Sequence, residues 1–101
     1  MTILEKEVEG YLKRQVEARG GLCIKWTSPG TTGLPDRIIL LPGGHVIFAE
    51  MKRPKGSRVG ALQSYWRSAL RRMGFAAYTL YTKSDVDAML IAEGSKHDRT
   101  V

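Results

Sequence analysis

A single α/β domain of order α-β-β-β-α-β-α, with helices on both sides of a small mixed sheet, is predicted for this 101-residue chain. Three observations predict it. Apolar residues recur at helical spacing near both ends and again after residue 60. Short apolar runs of strand length lie between them, and glycine or proline punctuates the junctions as far as Gly74. Elements in that order stack as three layers.

From about Ile3 to Arg19, Leu4/Glu5, Val8, Leu12, Gln15/Val16 and Arg19 follow a helical period, and Gly20-Gly21 ends it. Glu5 and Glu9 flank Val8 on the apolar side, whereas Glu7, Lys13, Arg14 and Glu17 form the wet face. Leu22 to Trp26 reads as a short strand, and Thr27 to Leu34 as a polar loop rich in glycine and hydroxyls. Two further strands, Asp36 to Leu41 and His45 to Lys52, enclose the turn Pro42-Gly43-Gly44. Arg53-Pro54-Lys55-Gly56-Ser57-Arg58 is a basic loop in which proline and glycine exclude regular structure.

A second helix is predicted from about Gly60 to Met73, with Leu62, Trp66, Ala69 and Met73 as its apolar stripe and Gly74 as its stop. Phe75 to Thr82 is the fourth strand. Ser84 then caps a third helix, with Asp85 and Asp87 suited to its positive end. The domain is expected over residues 1–93, with a polar tail over 94–101.

Composition narrows the class. No segment approaches a membrane span, and the N-terminus has no basic region followed by an apolar one, so a soluble cytoplasmic protein is expected. The lone Cys23 reads as a small core side chain, and two histidines supply no structural zinc set. The net charge is +6, with carboxylates concentrated in the first helix and the C-terminal region. Lys52, Arg53, Lys55, Arg58, Arg67, Arg71 and Arg72 follow one another with no acidic residue between them, which favours a polyanionic partner.

The chemistry-bearing residues meet in the hairpin. With a three-residue loop, Leu41 faces His45, Ile38 faces Phe48, and Asp36 faces Glu50. A two-residue loop would instead place Asp36 opposite Met51 and turn its carboxylate away. Glu50 and Lys52 share a face because they are two apart, while Ile47, Ala49 and Met51 occupy the other. A strand apolar on both sides until its last three residues is central and covered by helices on both faces. Charges at its end call for partners or a metal.

Gly33-Leu34-Pro35-Asp36-Arg37, Glu50-Met51-Lys52 and Gln63 follow the pattern G-[VL]-P-D-R … E-x-K … Q. In this the chain resembles the VRR-NUC family, the virus-type replication and repair nucleases of the PD-(D/E)xK superfamily, over nearly its whole length. The resemblance implies a restriction-endonuclease-like fold. It implies that Asp36, Glu50 and the Met51 carbonyl bind Mg²⁺ or Mn²⁺, that Lys52 orients or activates the attacking water, and that Gln63 supports the site from the second helix. A first-helix glutamate completes the set: Glu5 by its spacing to Val8, with Glu9 as the rival.

Lys25, Ser28, Arg37, Arg53, Lys55 and Arg58 are the candidates for contacts to a nucleic-acid backbone, which needs basic groups and carries no sequence information. Trp26 and Trp66 offer rings for base stacking, although Trp66 lies on the apolar stripe and reads as core. By resemblance, the expected activity is metal-dependent DNA endonuclease cleavage of branched or flapped DNA, in the manner of a homodimeric Holliday-junction resolvase, without a nucleotide cofactor. A catalytically silent DNA-binding module, or a subunit relying on a partner for specificity, is the alternative.

Overall fold

Two strands, β2 (Arg37–Leu41) and β3 (His45–Met51), pair antiparallel around Pro42-Gly43-Gly44 in the register that the loop length dictates. Leu41 opposes His45, Ile38 opposes Phe48, and Arg37 opposes Ala49. Gly43 and Gly44 both hold positive φ, 88° and 76°, which closes the turn at no steric cost. The computed structural model describes residues 3–52 and 60–98. The expected basic loop, with Arg53, Lys55 and Arg58, lies outside the described residues.

The remaining elements are α1 (Ile3–Ala18), β1 (Leu22–Lys25), α2 (Ala61–Arg72), β4 (Ala76–Leu80) and α3 (Lys83–Asp98). The sheet order is β1-β2-β3-β4, antiparallel except for the parallel β3–β4 pair, so β3 is central and the sheet is mixed. The predicted element order and sheet are those observed.

The core lies on one face of the sheet. Ile39, Ile47, Ala49, Met51 and Leu80 meet Val8, Leu12 and Val16 of α1 and Val86, Met89 and Leu90 of α3, all of them buried. Burial of each large side chain contributes about 1.5–3 kcal/mol. Tyr11 donates its hydroxyl to Asp87 at 2.6 Å, which joins α1 to α3 across the top of this layer.

The other face is only partly covered. Leu70 of α2 and Ala77 of β4 are buried there, but Leu22, Ile24 and Leu40 are 52%, 36% and 37% exposed. The helix cover on this side thus falls short at β1 and the outer part of β2, while Val46 and Phe48 of β3 are half-buried. The predicted stripe of α2 is also rotated: Leu62 and Met73 face solvent, and Leu70 is the buried residue. The helix reaches only part of the sheet, and its polar residues Gln63 and Arg67 are half-buried.

Two other boundaries differ from expectation. The cap of α3 is Thr82 rather than Ser84: Thr82 Oγ1 accepts the Asp85 N–H at 3.1 Å, and Asp85 Oδ2 accepts the Thr82 N–H at 3.0 Å. This reciprocal pair satisfies two amides where a lone serine satisfies one. The third helix also continues to Asp98, past the start of the expected tail, and it buries Glu93 near its end.

The open side of edge strand β4 is guarded by one charged side chain. Arg71 curls round it, donating Nε–H to the Ala77 carbonyl at 2.9 Å and lying 5.7 Å from the Tyr78 ring centre. A charged side chain on an exposed edge discourages pairing with another strand.

Candidate functional site

Continuing the observed registers one step beyond the assigned pairs sets four residues in a row across one end of the sheet. Trp26 lies across from Asp36, Asp36 across from Glu50, and Glu50 beside Thr79. The Trp26 N–H bonds the Asp36 carbonyl at 3.1 Å, which extends the β1–β2 ladder to that row. By strand alternation all four side chains point to the face that α2 partly covers. This row is the candidate site.

Asp36 is held firmly. Its Oδ1 accepts the Met51 N–H at 3.2 Å, and its Oδ2 lies 3.1 Å from Arg37 Nη1. Burial raises its carboxyl above the ordinary range, and Arg37 together with the Met51 amide opposes that rise. Glu50 is pushed up to about 7, first by burial and then by the Asp36 charge, against the opposing pull of Lys52 and Arg37. The Asp36 backbone amide also lowers the Glu50 carboxyl. A carboxylate raised by burial and by a neighbouring carboxylate's charge has excess affinity for a cation.

Lys52 is half-buried and shares the Glu50 face, its backbone N–H bonded to the Leu80 carbonyl at 3.0 Å. The β3–β4 pairing thus continues to the residue that carries the ammonium. Hard oxygen donors on Asp36, Glu50 and the Met51 carbonyl suit a divalent ion of the Mg²⁺ or Mn²⁺ type. Among the described residues no three His, Cys, Asp or Glu side chains converge as a ligand set. The fit therefore rests on two carboxylates and backbone oxygen.

Arg37 is not placed as a phosphate contact. It is 2% exposed, and its guanidinium is bound by Glu9 Oε2 at 2.5 Å and by Asp36. A buried guanidinium must be paired, and the nearest helix supplies the carboxylate. Glu9 is consequently the first-helix acid that the ion pairs tie to Asp36, one turn beyond Glu5. Glu5 itself is half-buried in the first turn of α1. The signal for Glu9 was available: Arg37 alternates with core residue Ile39, so its side chain had to enter the α1 layer.

Gln63 serves the start of α2. Its Oε1 accepts the Gly60 N–H at 3.1 Å, satisfying an amide at the helix N-terminus. That end of α2 sits on the loop before Asp36, because Gly33 has φ +96° and a β-carbon there would lie 2.9 Å from the Leu62 carbonyl carbon. Only glycine meets both conditions. Gln63 and Gly33 together set how α2 docks beside the site.

Lys25 is exposed at the end of β1, and its charge lowers the Asp36 carboxyl. Ser28 is half-buried in the preceding loop, where its carbonyl accepts the Thr31 N–H at 3.1 Å. Trp26 is half-buried, and its indole Nε1 is fully buried without a hydrogen-bond partner among the described residues. Trp66 is half-buried and packs edge-on against exposed Tyr65, with ring centres 5.1 Å apart. One residue that the sequence offers only as part of the basic stretch reaches the row: Arg67 of α2, which donates to Thr79 Oγ1 at 2.7 Å.

No family model matches the chain. A phage protein named "Putative nuclease p44", from Acyrthosiphon pisum secondary endosymbiont phage 1, is 44% identical over 52 residues. That match spans 52% of this chain and 56% of the phage protein, so the chain covers only about half of that relative's length. A solved structure described as a VRR_NUC domain protein superposes with a TM-score of 0.68 at 15% identity, covering 92% of this chain and 89% of that one, and so shares the fold. Another, described as a VRR_NUC domain, superposes with a TM-score of 0.80 at 30% identity over 90% of this chain and 97% of its own. With the same fold and this identity over almost the entire length of that domain, the chain belongs to the VRR-NUC family.

Proposed function

We propose that this chain is a divalent-metal-dependent endonuclease that hydrolyses DNA phosphodiester bonds, with its active site at the Asp36–Glu50–Lys52 end of the sheet. The observation that carries the reading is the register of the β2–β3 hairpin, which aligns two half-buried carboxylates and leaves Lys52 on the face of Glu50. The likeness to VRR_NUC structures and to a phage protein named for nuclease activity supports the same class.

Asp36, Glu50 and the Met51 carbonyl are the groups that would hold Mg²⁺ or Mn²⁺. Such an ion, when bound, acidifies water and neutralises phosphate charge. The chain's own residues do the rest. Arg37 and the Met51 amide fix the Asp36 carboxylate in place, so its orientation does not depend on the substrate. Lys52, on the Glu50 face, positions the attacking water electrostatically and faces the charge that develops on phosphate. The basic stretch from Lys52 to Arg72 attracts the DNA backbone without reading bases, which suits recognition by shape.

Branched DNA is the proposed substrate class, cut by a homodimer in the cytoplasm of a bacterial or phage-infected cell. A two-fold pair of active sites suits paired nicks on a two-fold junction. The exposed apolar strip of Leu22, Ile24 and Leu40, on sheet surface that α2 leaves open, offers a self-complementary face.

Cleavage of labelled four-way-junction, flap, single-stranded and linear duplex DNA with Mg²⁺, Mn²⁺ or EDTA tests the reading. Metal-dependent cutting of branched substrates is expected, lost in Asp36→Ala and Lys52→Ala while binding persists. Tight binding without cutting under any metal would make the chain a DNA-binding module instead.

A further inference from the structure

Arg67 stands apart from the other guanidiniums near the sheet. Arg37 is neutralised by Glu9 and Asp36, and Arg71 is committed to the Ala77 carbonyl and the Tyr78 ring. Arg67 is half-buried on α2 and makes its hydrogen bond to a neutral hydroxyl, Thr79 Oγ1, at 2.7 Å. Among the described residues no carboxylate pairs with it.

Its tether fixes where that charge sits. Thr79 is the β4 neighbour of Glu50 in the parallel register, and both side chains rise from the same face. Arg67 is also one turn beyond Gln63, the residue that holds the helix end against the Gly33 loop. A guanidinium carries five N–H donors in a rigid fork, and one bond to Thr79 leaves donors for another acceptor. A half-buried cation with no ion pair among the described residues, held next to the row of Asp36 and Glu50, is matched by an anion that arrives with the substrate.

We propose that Arg67, oriented by Thr79, binds a nonbridging oxygen of the DNA backbone beside the Asp36–Glu50 pair. It is thus a substrate-binding residue on the α2 side of the site. This rests on the nuclease reading for its substrate, but its principal test does not depend on cutting.

The test is the salt dependence of binding to a fluorescently labelled synthetic four-way junction in EDTA, for wild type, Arg67→Met, Arg67→Lys and Arg14→Met. Arg14 lies on the exposed face of α1 and controls for loss of net charge. A phosphate contact removed lowers the magnitude of the salt slope by about one and weakens junction and duplex binding alike. Arg67→Met is expected to show that drop, Arg67→Lys to retain the wild-type slope, and Arg14→Met to leave it unchanged. An unchanged slope in Arg67→Met, with thermal unfolding near wild type, overturns the proposal, as does an equal drop in Arg14→Met. If Asp36→Ala still cuts, the site assignment fails while the Arg67 slope result stands by itself.

Discussion

The Arg37 guanidinium lies 2.5 Å from the Glu9 carboxylate and 3.1 Å from that of Asp36, bridging the first helix to the proposed metal-binding aspartate from inside the core. The bridge spans α1 and the start of β2, and with 2% of Arg37 exposed it is shielded from solvent on the arginine side. Removing the guanidinium leaves the Glu9 and Asp36 carboxylates without the cation that joins them. Arg37→Leu is therefore expected to destabilise the fold by about 3–5 kcal/mol, and Arg37→Lys by less, with the loss read from urea unfolding. A change below about 1 kcal/mol in Arg37→Leu would show that the bridge does not hold α1 to the sheet.

Glu50 raises a separate expectation for the metal-free protein. Its carboxyl, moved by burial and by Asp36 from 4.5 to about 7, holds a proton in the folded state that the unfolded chain has released. A raised folded value means that the group has no cost below 4.5 and that stability falls as pH rises from there through about 7. Glu50→Gln should thus be more stable than wild type at pH 8 in EDTA, by ~1–2 kcal/mol once solvent screening is allowed for. The advantage should vanish near pH 4.5, the ordinary value. Thermal melts of the two proteins across that range check it.

Glu93 gives the opposite limb. Burial pushes its carboxyl up, but the bonds from Tyr78, Lys96 and His45 outweigh burial and bring it below its ordinary value of 4.5. A lowered folded value contributes stability that is complete above 4.5 and lost as pH falls through the folded value. Tyr78, raised to about 12 by burial and by Glu93, contributes stability that is lost as pH climbs from 10 towards 12. Glu93→Gln should flatten the acid limb of a stability–pH curve. Tyr78→Phe should flatten the alkaline one, at a neutral-pH cost of about 1.5–3 kcal/mol for a hydrogen bond to a charged group.

Gly33 links loop and helix. An alanine there meets the Leu62 backbone and an unfavourable φ of +96° together. Gly33→Ala is expected to cost about 1–3 kcal/mol of stability. It should also lower single-turnover cleavage by more than it lowers DNA binding, because α2 is displaced from the row. Equal losses in rate and affinity would point to general unfolding.

The hairpin was legible because two strong rules act on it together. Loop length sets the pairing and strand alternation sets the face, so Ile38 opposite Phe48 followed without knowledge of the rest of the chain. Arg37 was misread because its partner Glu9 comes from a distant helix, and a surface-type residue beside a motif looks like a ligand for phosphate. The rotation of α2 was hidden for another reason. Leu62 and Met73 look like core on a helical wheel, but the helix overlies only part of the sheet, which no periodicity records. The cap of α3 was missed by two residues because Thr82 and Ser84 are both competent, and the reciprocal bond to Asp85 decides between them.

The Pro42-Gly43-Gly44 turn sits at the opposite end of the hairpin from Asp36 and Glu50, and its two glycines are exposed. Its residues can be exchanged for others that tolerate the same backbone, yet its length behaves as an inherited measure. Removal of one residue would still permit a folded ribbon while turning one carboxylate to the wrong side of the sheet. A frame of three at a solvent-washed tip thus governs what happens a strand's length away. The letters there can change, but a change in their number moves the site.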